Sequence, residues 1–129
     1  LMQVKGGSGI KPLSLQKRDV EVQKVITVRS KKINLSVWDN ERVDGDRVSL
    51  SLNGKWILRN YEIAKEKHSL DIELIKNQVN ELIFYAENLG EIPPNTTAIN
   101  IQYDGYNKTH IMRSNMDKSA SINFYIEEE

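Results

Sequence analysis

The segment VWDNERVDGDRVSLSLNGKWILRN, residues 37–60, packs four structural signals into 24 residues. It opens on an acid-rich turn, Asp39 to Asp46. Val48, Leu50 and Leu52 then alternate with polar residues, the period of a half-buried strand. Asn53-Gly54 supplies two residues that tolerate positive φ, as a type I′ hairpin turn requires. A return strand carrying Trp56 follows. A two-residue turn pairs Leu50 with Ile57 and Ser51 with Trp56. Trp56 and Leu58 then share the face of Ser49 and Ser51, opposite the core face. That outer face is either covered, with the N-terminal strand as the expected cover, or it displays an indole.

The same two-residue period recurs on both sides of this segment. Val20 and Val22, Ile26 and Val28, and Ile33, Leu35 and Val37 precede it. His68, Leu70, Ile72 and Leu74 follow, then Ile99, Ile101 and Tyr103, and finally Ile122, Phe124 and Ile126. Leu82, Phe84 and Ala86 share one face while Ile83 and Tyr85 take the other, so that strand is expected to be buried on both sides. Residues 110–112 form a shorter candidate, and no long window carries helical spacing. Asp44-Gly45-Asp46 and Asp104-Gly105 mark reversals, and Pro93-Pro94 places an ordered crossing loop over residues 88–95. Eight or nine short strands at this spacing predict an all-β fold, an antiparallel β-sandwich of jelly-roll type with little or no helix. The Gly6-Gly7-Ser8-Gly9 run makes residues 1–18 a flexible tether, natural or a cloning remnant, and residues 19–129 the sandwich domain. The chain opens on Leu1 without a leader-like segment, which reads as a piece of a longer precursor.

Composition narrows the function classes. Eighteen basic residues balance eighteen acidic ones, so the basic footprint that nucleic-acid binding rests on is missing and a polyanion is not the expected ligand. The chain has no cysteine, which removes disulfides, thiolate metal sites and cysteine nucleophiles. No apolar run reaches the length of a membrane-spanning helix.

Two groups of side chains have the chemistry of a site. Asp39, Asn40, Glu41, Asp44 and Asp46 place five oxygen-bearing side chains within eight residues. Hard cations such as Ca²⁺ need converging oxygens, so Asp39, Asp44 and Asp46 are the candidate metal ligands. The spacing is not that of an EF-hand. Asp, Asn and Gly are equally the residues that build turns, and Arg42 and Arg47 are placed to neutralise the acids. The second group is aromatic. Trp56, Tyr103 and Tyr106 are the candidate ligand-binding residues, because such rings offer flat apolar faces with a polar handle for a sugar. Tyr103 and Tyr106 flank the Asp104-Gly105 turn and are the expected exposed pair. Catalysis has no comparable support: His68 and His110 are isolated, and no nucleophile elbow, zinc motif or phosphate loop occurs. Carboxylate pairs for glycoside hydrolysis are not excluded among eighteen acids. Asn34, Asn95 and Asn107 open N-x-S/T triplets, but Asn34 falls inside a strand. Glu127-Glu128-Glu129 reads as a solvated tail.

The run W-D-x(4)-D-G-D-x-V-x-L-x-L-N-G-x-x-I, Trp38 to Ile57, is followed by Y-A-E-N-L-G-x-I-P-P-N-T, Tyr85 to Thr96. Together they resemble a β-sandwich module in the C-terminal parts of uncharacterised secreted and lipid-anchored proteins of Bacteroidetes-type bacteria, over roughly residues 19–126. The hairpin is similar, more loosely, to that of galactose-binding-like jelly rolls attached to glycosidases. Where those carry a Gly-Asn pair before the long strand, this chain has Asn77-Gln78-Val79-Asn80. The resemblance implies an extracytoplasmic accessory module and no established activity; the expected role is binding or structural and not that of an enzyme, in the periplasm, at the cell surface or secreted. Its partners would be other domains of the same precursor and a glycan or cell-surface protein. The alternative is a calcium-stiffened carbohydrate-binding module, and a small hydrolase comes third.

Overall fold

The structure, a computed structural model, describes residues 11–39, 43–89 and 93–127. One helical turn, α1 (Leu13–Gln16), precedes nine strands: β1 (Asp19–Val28), β2 (Lys32–Trp38), β3 (Arg47–Leu52), β4 (Lys55–Glu62), β5 (His68–Glu73), β6 (Asn80–Ala86), β7 (Asn95–Tyr103), β8 (Tyr106–Ser114) and β9 (Lys118–Ile126). They form two sheets, a five-stranded one in the order β1-β9-β6-β3-β4 and a four-stranded one in the order β5-β2-β7-β8. The fold is an all-β sandwich. Among the consecutive strands only β3–β4 and β7–β8 are hydrogen-bonded neighbours, so the other connections leave the strand pair they started from. Six ladders are antiparallel, and β1 runs parallel to β9. Side-chain alternation is the same for either direction, so that one parallel pairing is invisible in the pattern.

The core is the layer between the sheets. Leu35, Val37, Leu50, Leu82, Phe84, Ile99, Ile101, Ile122 and Phe124 are fully enclosed there. The I′ turn expected at Asn53-Gly54 forms, with φ of 52° and 83°, and the reversal at Asp104-Gly105 has the same pair of positive angles, 50° and 81°. The β3–β4 hairpin carries a bulge. Ser51 pairs with Trp56 as expected, but Leu50 pairs with Leu58 rather than Ile57. An extra residue on one strand bends it and breaks strict alternation, which leaves Trp56, Ile57 and Leu58 all half-buried.

The outer face of β6 is covered. Lys11 ion-pairs with Glu81 at 3.1 Å, and the Arg18 guanidinium lies 3.7 Å over the Tyr85 ring while donating to the Ala86 carbonyl. Between these anchors Leu15 is 1% exposed, and Ile83, the outward residue between Glu81 and Tyr85, is completely enclosed. The cover is therefore residues 11–18 and not the first strand, which joins the sheet beside β9. Of the tether expected over residues 1–18, residues 1–10 lie outside the described residues.

Candidate functional site

The acid turn sits at one end of the sandwich, where the chain crosses from β2 in one sheet to β3 in the other. Ile33, Leu35 and Val37 face inward, and Asp39 continues that phase by one more step. On the far side of the crossing Asp46 lies two residues before inward-facing Val48. Both carboxylates thus extend the core face at its rim instead of pointing to solvent. Gly45, at φ 83°, turns the chain between Asp44 and Asp46 in a conformation that most L-residues resist. The Asp39 N–H donates to the Ala64 carbonyl at 2.8 Å, and the Asp46 carbonyl accepts from the Ile63 N–H at 2.8 Å. Across the crossing, Asn88 holds both neighbours of Asp46: its amide donates to the Gly45 carbonyl, and its oxygen accepts from the Arg47 N–H.

The three aspartates converge. Asp39, Asp44 and Asp46 are 4%, 8% and 2% exposed, and each offers one oxygen within 4.8 Å of the others'. Asp46 Oδ2 accepts from the Thr96 N–H at 3.0 Å. Its other oxygen, Oδ1, is enclosed, and no amide, hydroxyl or cationic donor reaches it. Burial pushes the Asp46 carboxyl up to about 6, opposed by the Thr96 N–H and helped by the charge of Asp44, by a side-chain hydrogen bond with that second acid and by the charge of Asp39. Asn95, one residue before Thr96, is buried too. Its amide donates to the Arg47 and Asn88 carbonyls, and its oxygen has no partner. Arg47 does not neutralise the turn as the sequence suggests: it pairs with Glu62 at 3.0 Å and bonds Asn60. Asn40, Glu41 and Arg42 lie outside the described residues.

The opposite end of the sandwich carries the tyrosines. Tyr103 and Tyr106 pair across the Asp104-Gly105 turn with ring centroids 5.7 Å apart; of the pair expected to be exposed, Tyr106 is 59% exposed, whereas Tyr103 is half-buried against the core. Asp104 ties this hairpin to the β1–β2 loop by accepting from the Arg29 N–H at 2.7 Å and the Ser30 hydroxyl at 2.6 Å. Those two bonds, the hydroxyl's first, hold its carboxyl below the usual carboxylate value. The tyrosines border an open groove of about 810 Å³ whose floor includes Asn34, Asp71, Gln102 and Asn107. In the ladder these four are cross-strand neighbours, so they make one polar row over β5, β2, β7 and β8. Asn34 is already oriented, donating to Asp71 at 2.8 Å and Ser69 at 2.9 Å.

Trp56 is not part of this groove. It lies on β4 of the other sheet, edge-on to Tyr85 at 5.7 Å, with the Arg59 guanidinium 4.4 Å above its ring. The two histidines are also apart. His68 and His110 sit on the two edge strands of the four-stranded sheet, three strand spacings or roughly 14 Å from each other. His68 stacks on Tyr61 at 4.6 Å. His110 is held below its ordinary value by burial and by the charges of Lys24 and Lys108.

The sequence names the residues of both ends but misses the burial of the acids and the polar row. The signals were there: Asp39 in phase with Val37, Asp46 in phase with Val48, and Asn34 and Gln102 at the outward positions of strands whose alternate residues are Ile and Leu. No protein-family model, curated protein or solved structure matches the chain, so the reading of both ends rests on their geometry.

Proposed function

We propose that the chain is a non-catalytic binding module of a larger exported protein, and that the groove beside Tyr103 and Tyr106 takes a glycan. The observation that carries this reading is the pairing of an exposed aromatic edge with a row of amide and carboxylate groups in one open groove of about 810 Å³. Tyrosine rings pack on the C–H faces of a sugar. Asn, Gln and Asp side chains bond its hydroxyls, and a few placed polar groups in a concave site fix ligand orientation. The charged members of the groove are Lys32 against Asp71, Glu73 and Asp104, an acidic excess that disfavours a polyanion and leaves a neutral ligand. The resemblance in the Trp38–Ile57 and Tyr85–Thr96 runs supports placement outside the cytoplasm.

A glycan array followed by calorimetric titration of its best hit tests the reading. The expected result is saturable binding to a neutral glycan, weakened about tenfold or more by Tyr106→Ala or Gln102→Ala. Both residues are exposed, so neither change threatens the fold. An array without hits, or binding indifferent to both variants, overturns it. Turnover of the bound glycan, lost in Asp71→Asn or Glu73→Gln, would make the module an enzyme instead.

A further inference from the structure

We propose that Asp39, Asp44 and Asp46 form a divalent-cation site, and that its cation is Ca²⁺. This site stands apart from the groove. β7 begins beside the aspartates, where the Thr96 N–H holds Asp46, and ends at Tyr103, eight residue steps or roughly 26 Å away.

Three observations converge on a cation. First, the donor set is hard: three carboxylates, with no cysteine in the chain and no histidine in the cluster. That set suits Ca²⁺ or Mg²⁺ over zinc or copper. Second, the geometry fits. Oxygens on opposite sides of a Ca²⁺ ion, each at about 2.4 Å, lie up to about 4.8 Å apart, and the aspartate oxygens all fall within 4.8 Å of one another. The hydrogen bonds around them preset this arrangement: the β4–β5 loop anchors Asp39 and Asp46 through Ala64 and Ile63, and Asn88 and Thr96 anchor the Asp44–Asp46 turn from the β6–β7 side. Third, Asp46 Oδ1 is enclosed and no amide, hydroxyl or cationic donor reaches it; the side-chain neighbour of this carboxyl is Asp44, another acid. Buried polar atoms are nearly always satisfied, and an unsatisfied one points to a missing partner. A cation among the carboxylates supplies it.

Ca²⁺ is preferred to Mg²⁺ because the anchors leave the carboxylates little freedom to contract. Mg²⁺ demands near-octahedral ligands at about 2.1 Å and surrenders its water reluctantly, whereas Ca²⁺ accepts six to eight oxygens in irregular geometry. A bound ion would join the β2–β3 crossing to both neighbouring loops, the role of a staple in a chain without cysteine.

The experiment compares the whole chain, stripped with chelator, in EDTA, in millimolar Mg²⁺ and in millimolar Ca²⁺. Because Ca²⁺ binds the folded form, saturating ion must raise the melting temperature. The expected shift is several degrees, accompanied by retention of one ⁴⁵Ca²⁺ per chain in equilibrium dialysis, with a smaller response to Mg²⁺. Asp46→Asn retains an acceptor for the Thr96 N–H and removes a buried charge. In EDTA this variant should melt no lower than the parent chain, yet lose the Ca²⁺ shift. A merely structural aspartate would give the opposite pattern, a lower melting point in EDTA. Asp44→Asn is the second variant, expected to bind Ca²⁺ at least tenfold more weakly. Equal melting curves in EDTA and Ca²⁺ with no retained ion overturn the site. A shift that survives both variants overturns the ligand assignment, and a Mg²⁺ response equal to that of Ca²⁺ overturns the choice of ion.

Discussion

Asp104 and Asp46 show how the same residue type in a turn acquires opposite properties. Asp104 is exposed and accepts from two donors of the β1–β2 loop, so its carboxyl titrates below 3.8. Asp46 is enclosed beside two other acids and titrates near 6. For Asp104 the linkage sign is that of a depressed acid. Its stabilising effect is complete above the unfolded value and fades as pH falls through the folded one. Ser30→Ala removes the largest cause of the depression, so the Asp104 midpoint in a carboxyl NMR titration should rise toward 3.8 while staying below it, because the Arg29 N–H remains. An unchanged midpoint would show that the Ser30 bond does not set it. Neither behaviour is written in the local sequence, since Asp-Gly and Asp-Gly-Asp both read as turns. What separates them is what distant parts of the chain deliver: to Asp104 a hydroxyl donor, Ser30, 74 positions away, and to Asp46 the enclosure that raises it, made with a connection whose Thr96 lies 50 positions away.

At the level of elements, alternation and turn chemistry made the strands legible, and residues that break alternation hid the rest. The clean phases of Leu82-Phe84-Ala86 against Ile83-Tyr85 foretold a strand enclosed on both sides; the inner three and Ile83 are enclosed, while Tyr85 on the outer face is half-buried. The β4 bulge was not legible, because Trp56, Ile57 and Leu58 are all large and apolar and no phase can be assigned among them. The helical turn over Leu13–Gln16 escaped for a related reason: four residues are too few to show a period. Its contribution is nonetheless that of a core element. Leu15→Ala, at a 1% exposed position, should cost about 2–4 kcal/mol in urea unfolding, within the range for a buried leucine. A cost below about 0.5 kcal/mol would mean that residues 11–18 are a tether after all.

For the whole molecule, the sandwich class was readable from strand count and spacing, but sheet membership was not, because hydrophobic period carries no information about which strand lies beside which. The candidate site suffered from the same blindness: its residues were named, yet only the folding together of the β2–β3, β4–β5 and β6–β7 connections makes a density of acids into an enclosed triad. The parallel ladder of β1 and β9 has a mechanical meaning. Asp19 pairs with Lys118 and Val28 with Ile126, so β1 starts at one pole and β9 ends at the other, roughly 30 Å away. Tension applied at residues 19 and 126 themselves pulls β1 and β9 in opposite directions along their own axes. Their hydrogen bonds then bear the load together, in shear, instead of opening one after another like a zipper. In single-molecule pulling from residues 19 and 126, the domain should rupture in one step, at a higher force than when it is pulled from residues 53 and 105.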